Sequence, residues 1–542
     1  MNNLSKPSFF NIHSSIRLHV MRIFCLIIGL VITLSGYSQD KTEITFQKDE
    51  AWFVGIIDQG HLMPLLKDFS FDMTKANTYN QLQPLFISNK GRYVFTENPV
   101  DFSVNASNIE INGKGNVKVQ TAGKTLKEAY REVASKQFSF KGQFPHPELF
   151  QKPQYNTWIE LTYNQNQKDV LHYAQSMLKN GMPPGVIMID DTWQHDYGVW
   201  EFDANKFPDP KAMMDTLHNQ GFKVMLWVCP FVSADSREYR QLAQEGGLLL
   251  NGQGSKPMMV EWWNGMSAVI DLSHPNGSKW FQAILDYLQT RYGVDGFKFD
   301  AGDIRFYNDA KSYGNISSHD QSMLFNKLGV NYPLNEFRAA WKVGGEPLAQ
   351  RLADKAHNWD DLRKLIPQIT LQGLMGYPFS CPDMIGGGEF GSFLDLKQID
   401  QELIVRSAQC HAFMPMMQFS VNPFRILDAR HAKAVKEAVA LRQKFVPIIM
   451  DLVKAAAQTG EPIVRMMEYE FPHQGYTKIK DQFMLGNNVL VAPILEKGVT
   501  SRKVVLPKGQ WRDQKGKTWK GNRTIDFPAN LETIPFFTLL GK

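Results

Sequence analysis

The sequence predicts an α/β protein in which a (β/α)8 TIM barrel is flanked by an N-terminal and a C-terminal β-sandwich. Three observations predict it. Between residues 150 and 429, apolar runs of strand length alternate with amphipathic stretches of helical period, the mark of βα units around a parallel sheet. That stretch, roughly 270 residues, holds no phosphate-cradling GxGxxG, which favours a closed barrel over a dinucleotide-binding sheet. On either side the pattern turns to short alternating runs broken by Asn, Gly and Pro. Composition suits a well-packed globular chain of several domains: 542 residues, 43% hydrophobic, 12% aromatic and 21% charged. A net charge of +5 is too dilute at this length for a nucleic-acid protein, and no Lys/Arg block stands out.

The first segment, 1–38, reads as a secretory signal peptide. Lys6, Arg17 and Arg22 precede an apolar run from Ile23 to Leu34, and the small residues Gly36 and Ser38 mark a cleavage region. The run is short for a bilayer span, so the expectation is export to the periplasm or medium, without stable membrane insertion after cleavage. Met21 is a second candidate start. Cys229, Cys381 and Cys410 show no CxxC spacing and are expected to be buried free thiols.

Residues 39–140 read as the N-terminal β-sandwich, with alternating runs at Ile44-Thr-Phe, Arg92-Tyr-Val-Phe and Val117-Lys-Val. A helix at Leu126–Lys136 and a proline-bearing linker from Phe140 to Tyr155 follow. Residues 150–429 read as the barrel. Thr157-Trp-Ile-Glu-Leu-Thr is its first strand candidate and Gln167–Lys179 its first helix. Gly185-Val-Ile-Met-Ile-Asp-Asp, Lys223-Val-Met-Leu-Trp-Val and Asp295-Gly-Phe-Lys-Phe-Asp are further strands, with helices at Pro210–Gln220 and Lys279–Tyr292. Residues 430–460 read as a helical end of the barrel, and 461–542 as the C-terminal β-sandwich.

In a barrel, chemistry collects where strands run out at the C-terminal face. Asp190 and Asp191 end one apolar run, Asp300 and Asp303 follow another, and Asp354 follows Pro347-Leu-Ala-Gln-Arg-Leu-Ala. A single Asp after a strand is often only a turn residue or a helix cap. Several in matching places, with Trp158, Trp193, Trp227, Trp262 and Trp263 nearby, suit a sugar pocket: acids hold hydroxyls and move protons, while indoles cover the apolar sugar face.

Phe297-Lys-Phe-Asp-Ala-Gly-Asp resembles the nucleophile motif of glycoside hydrolase family 31. Asp354 stands five residues before Trp359, the spacing of that family's acid/base Asp. Gly376-Tyr-Pro-Phe-Ser-Cys-Pro-Asp-Met-Ile-Gly-Gly resembles its GxPxxxxDIGG stretch. Glu402-Leu-Ile-Val-Arg, Ala412-Phe-Met-Pro-Met-Met and Gln482-Phe-Met-Leu-Gly continue the resemblance in order to the end of the chain. Ile189-Asp-Asp, Trp262-Trp-Asn-Gly, Arg351-Leu-Ala-Asp and Met417-Gln-Phe-Ser are most similar to its α-galactosidase and myogenesis-regulating glycosidase branch. The family's α-glucosidases usually carry Arg and His where Gln418 and Ser420 stand, and Asp303 replaces a commoner Glu.

The resemblance implies a retaining α-glycosidase acting on a carbohydrate, with α-galactosidase activity expected first and α-glucosidase or α-xylosidase activity second. A catalytically silent sugar-binding member is the remaining alternative. It implies Asp300 as nucleophile and Asp354 as acid/base, protonated at rest, with their carboxyls about 5–6 Å apart. Asp190, Asp191, Trp227, Trp263, Lys298 and Arg351 are the expected substrate-binding residues. Asp383 is expected to buttress the site, and His411 to be a packed helix residue. The implied reaction calls for no metal and no cofactor.

Overall fold

The computed structural model describes residues 40–541, apart from 67, 76–78 and 116; the expected targeting segment lies outside the described residues. The sheet at the centre of the fold has eight strands, all parallel and in chain order: Gln154–Asn156, Val186–Ile189, Lys223–Val228, Gly296–Phe299, Leu334–Phe337, Gln350–Arg351, Ser380–Cys381 and Gln418–Phe419. The last pairs with the first, Gln418 opposite Gln154, and a parallel bridge between Met384 and Gln418 joins the seventh to the eighth. The sheet is thereby a nearly closed barrel.

Period-two alternation builds this barrel from the sequence. In Gly296–Phe299 the two phenylalanines turn outward: Phe299 stacks on Phe337 at 4.7 Å between centroids and meets Phe325 of the helix Ser318–Leu328 at 5.7 Å. Lys298, between them, turns inward. Register aligns the inward layer, Trp227 opposite Lys298 and Lys298 opposite Glu336. The same register aligns Val228, Phe299 and Phe337, so the residues that follow them leave the sheet at one face.

Helices expected from the sequence form where caps permit them. Gln167–Lys179 is capped by Asn166, whose side chain accepts from the Asp169 amide. Pro210–Asn219 and Pro275–Tyr292 each open on proline, and the second ends at Gly293 in the left-handed region. Ala429–Thr459 runs on the barrel wall from its Asp428 cap to Gly460.

Three elements differ from expectation; one is Val117-Lys-Val, which forms no strand and precedes the short strand Gln120–Thr121. The first strand is Gln154–Asn156, three residues before the expected one, and Trp158–Leu161 is a turn of helix. Asn156 Oδ1 accepts the Trp158 amide at 2.8 Å, and this local bond turns the chain out of the sheet despite its β-prone Thr-Trp-Ile run. The crossover between Leu334–Phe337 and Gln350–Arg351 carries no helix. It sends Ala340–Trp341 sideways to pair with Gln81–Leu82 of the N-terminal unit instead.

That N-terminal unit packs a four-stranded sheet against a five-stranded one, with Phe86 edge-on to Phe102 at 4.9 Å between them. Its buried apolar residues merge with those of the barrel into one core. At the other end, a six-stranded sheet and the pair Ser501–Leu506 with Arg523–Pro528 enclose a second core around Met484, Trp511 and Phe537. Cys229, Cys381 and Cys410 are buried free thiols. Among the described residues, no helix is long and apolar enough to cross a membrane.

Candidate active site

The residues leaving the strands converge on one cavity of about 340 Å3. Asp190, Asp191, Trp227, Trp263, Lys298, Asp300 and Asp354 all line it, as do Tyr79, Trp158, Tyr163, Arg338, Ala353 and Phe390.

The floor is an ion-pair ladder. Lys298 Nζ lies 2.7 Å from Asp190 Oδ2 and 3.8 Å from Asp300 Oδ2. Asp190 is set by its own amide, which donates to Thr157 Oγ1 at 3.0 Å. Its neighbour Asp191 accepts from Asn264 Nδ2 at 2.6 Å and from the Tyr197 hydroxyl at 3.2 Å. Burial, reinforced by the Asp190 charge, pushes the Asp191 carboxyl up to about 7 against these hydrogen bonds.

Asp300 is clasped from three sides. The Trp227 indole donates to Oδ2 at 2.9 Å, the Ala301 amide donates to Oδ1 at 2.7 Å, and Arg338 Nε stands 3.4 Å from Oδ1. Burial opposes the charge, but Arg338, Lys298 and Arg351 outweigh it and hold this carboxyl well below the usual range. The turn that aims it needs two residues in succession at positive φ, Ala301 at 56° and Gly302 at 71°. A Cβ on Gly302 would meet Phe325 Cδ1 at 2.4 Å, so only glycine fits. Asp303 faces away from the cavity and binds Arg338 Nη2 at 2.7 Å, fixing the guanidinium over the Trp263 ring at 4.9 Å.

Asp354 faces the cavity with its side chain 37% exposed, and Arg351 Nη1 donates to its Oδ1 at 2.5 Å. Arg351 itself, expected to touch substrate, stands behind the wall at 1% exposure, paired with Asp354, Asp383 and Glu336. Burial raises the proton affinity of Asp354, but Arg351, Lys298 and Arg338 outweigh it and hold the carboxyl below its ordinary value.

Of the tryptophan pair, Trp262 is buried and donates to Ser267 Oγ at 3.0 Å, while Trp263 is 41% exposed in the cavity wall. On the opposite wall, Trp158, Tyr163 and Phe390 meet edge to face, their centroids 5.4–6.2 Å apart. Asp383 lies behind Asp354, and His411 is buried in its helix, its imidazole driven down to about 3 by burial and by Arg442. Gln418 and Ser420 are buried too: Gln418 donates to Glu336 and Gln154, and Ser420 Oγ accepts the Ile159 amide.

Sequence reasoning missed Arg338, which follows the strand Leu334–Phe337 directly, as Asp300 follows Gly296–Phe299; Asn335 and Glu336 break the apolar run that would have marked that strand. A search for acids at strand ends passes over a base. Tyr79 carried no signal, because it comes from the N-terminal unit and reaches the cavity beside Arg305, 4.4 Å from its ring centroid.

Comparison with known proteins gives the family. A family model for the glycosyl hydrolases family 31 TIM-barrel domain matches residues 147–452, and one for that family's C-terminal domain matches 460–542. The chain is 33% identical to the mouse (Mus musculus) myogenesis-regulating glycosidase over 77% of its own length and 60% of the relative's. It is 27% identical to alpha-glucosidase 2 of Bacillus thermoamyloliquefaciens over 70% of its length and 51% of the relative's. It thus spans about half to three-fifths of the curated relatives it matches. A solved family 31 alpha-xylosidase from a soil metagenome, complexed with xylose, superposes with a TM-score of 0.80 at 22% identity, covering 92% of this chain and 79% of that one. With two family models matching in order, the first over the barrel that carries the cavity, and a third of residues shared with a full-family relative, the chain belongs to glycoside hydrolase family 31.

Proposed function

We propose that this protein is an exported, retaining exo-α-glycosidase that removes terminal α-linked sugars by double displacement. The observation that carries the reading is the pair of carboxyls with unlike surroundings at one sugar-sized cavity: Asp300 locked as an anion, Asp354 part-exposed beside it. In the first step an Asp300 oxygen attacks the anomeric carbon. The bond from that carbon to the leaving oxygen breaks, and its electron pair takes the proton of Asp354. In the second step Asp354, now ionised, takes a proton from water, and the water oxygen displaces Asp300.

Arg351, Lys298 and Arg338 favour the ionised form of Asp354, so substrate binding must raise its proton affinity for the first step. A sugar that expels water strips solvent from the exposed third of this side chain, which favours the neutral acid. Asp190, Asp191 and Lys298 are placed to hold hydroxyls, Trp263 to cover an apolar sugar face, and Arg338 to orient Asp300. Pocket shape also supports exo action, since the floor closes on Lys298 and Asp190.

For the sugar, we favour terminal α-galactose. Gln418 and Ser420 are engaged in packing, so the polar pair that the family's α-glucosidases usually carry at these positions is missing from the cavity. An α-glucoside or α-xyloside is the second reading, favoured by the names of the Bacillus relative and the metagenomic structure. Export is supported by the basic flank and apolar run at Ile23–Leu34. Chromogenic α-galactoside, α-glucoside and α-xyloside assayed side by side decide the sugar. A preference for the galactoside is expected; a clear preference for another removes galactose, and binding without hydrolysis of any revives the silent-member alternative.

A further inference from the structure

Behind Asp354 lies a second carboxyl that the double displacement leaves unused. Asp383 is fully buried, with its backbone at φ 78° just past the strand Ser380–Cys381. Its two oxygens grip the chain on both sides of Asp354. Oδ1 accepts from Arg351 Nη1 at 2.7 Å, and Oδ2 accepts from the Lys355 amide at 2.8 Å. The same Arg351 nitrogen donates to Asp354 Oδ1 at 2.5 Å, so one guanidinium N–H group bridges the two carboxyls. Both also lie against Gly388, where a Cβ would fall 2.9 Å from Asp383 Oδ1 and 3.1 Å from Asp354 Oδ1.

We infer that Asp383 is a positioning residue for the proton transfer: through the Arg351 nitrogen it shares with Asp354, it sets how firmly Asp354 holds the proton given to the leaving oxygen. The inference rests on the double-displacement reading and deepens it. Charges facing Asp354 are the cations Arg351, Arg338, Lys298 and Lys355 and the anions Asp300 and Asp383. Three of the cations, with Asp300, are committed to the floor or to the backbone around it. Asp383 is the anion whose removal frees Arg351 to act on Asp354 alone. Burial, with the Asp354 charge added, pushes the Asp383 carboxyl up to about 7 against Arg351; the two acids titrate as a pair that keeps one proton between them, and whenever Asp383 is the ionised member that proton is on Asp354.

The sign follows. With Asp383 made neutral, Arg351 draws Asp354 further toward its ionised form, and less of the enzyme carries the proton that the first step needs. The alkaline limb of the kcat/KM profile, which reports the last proton held by the pair, moves to lower pH when only Asp354 is left to carry it. Loss is greatest for leaving groups that require protonation and least for those that depart as stable anions.

The test compares wild type, Asp383→Asn and Arg351→Lys on phenyl and dinitrophenyl glycosides of the preferred sugar across pH. For Asp383→Asn, kcat/KM on the phenyl glycoside is expected to fall at least about tenfold more than on the dinitrophenyl glycoside. The alkaline limb of Asp383→Asn is expected to shift down by about one pH unit. Adding Asp383→Asn to an Asp354→Asn background should then cost nothing further on the dinitrophenyl substrate. Equal losses on both aglycones with an unmoved limb mean that Asp383 only supports the loop, and the inference is overturned. Should Asp383→Asn fail to fold, Arg351→Lys decides: loosening the shared cation's hold on Asp354 is expected to move the alkaline limb to higher pH, and an unmoved limb overturns the inference. A wild type that cleaves neither glycoside sinks the parent reading instead, an outcome that needs no variant.

Discussion

Asp300 and Asp354 are the same side chain in two electrostatic settings, and that difference divides their labour. Asp300 touches an indole N–H, a backbone amide and the field of three cations, so it stays an anion over any working pH. Asn at 300 keeps the shape and removes the nucleophile: turnover should drop by more than about a thousandfold while sugar binding persists, as calorimetry would register. Full activity in Asp300→Asn contradicts the assignment. Asp191 yields a prediction on stability. Its folded pKa of about 7 exceeds the ordinary carboxylate value, so between pH 4 and 7 the native state binds more protons than the unfolded chain, and stability falls as pH rises. Asn at 191 is neutral, as the protonated carboxyl is, with an acceptor oxygen beside an NH2 donor group. Asp191→Asn should therefore gain stability on the order of 1–3 kcal/mol relative to wild type at pH 8 and little at pH 4. Denaturant melts at both pH values check this, and an equal change at each disproves it.

At the scale of elements, the cavity depends on parts drawn from different units. The crossover that lacks a helix is held by the N-terminal sheet. Gln81 Nε2 donates to the Arg338 carbonyl at 2.6 Å and to the Arg351 carbonyl at 3.0 Å, while Asn80 Oδ1 accepts the Ala353 amide at 2.8 Å. These bonds fix the backbone of two cavity segments, at Arg338 and at Arg351–Asp354. Gln81→Ala leaves the two carbonyls only the longer bonds from Asn80 Nδ2, each at 3.2 Å; a destabilisation of about 1 kcal/mol and a fall in kcat are expected. A thermal melt and steady-state kinetics measure both, and unchanged kinetics would show that the clamp does not position the site. Such coupling is invisible to periodicity, which sees neither the loss of a helix nor a strand lent to another sheet. The elements that were legible are those whose apolar period and caps agree locally, such as Gln167–Lys179 and Lys223–Val228. The misplaced first strand shows the converse: one Asn156 hydrogen bond overrode the β-propensity of Thr-Trp-Ile.

For the whole molecule, chain order and register do the assembling. Eight parallel strands in sequence order bring residues from across the barrel to one mouth, which is why strand-end acids could be read without a structure. Arg338 escaped that reading because acids alone were sought, and the place of Arg351 behind the wall follows from packing against Glu336 and Asp383, which spacing does not encode. The N-terminal sandwich shares its core with the barrel and supplies Tyr79 to the cavity, so it is part of the site rather than an appendage. The central claim, that Asp300 forms a bond to the sugar while Asp354 manages protons, is tested most directly by trapping. Protein incubated with a fluorinated α-glycosyl fluoride of the preferred sugar would be digested and its peptides mapped by mass spectrometry. The account predicts one glycosyl adduct on the peptide containing Asp300; an adduct on any other residue, or release of an inverted product with no adduct at all, contradicts it.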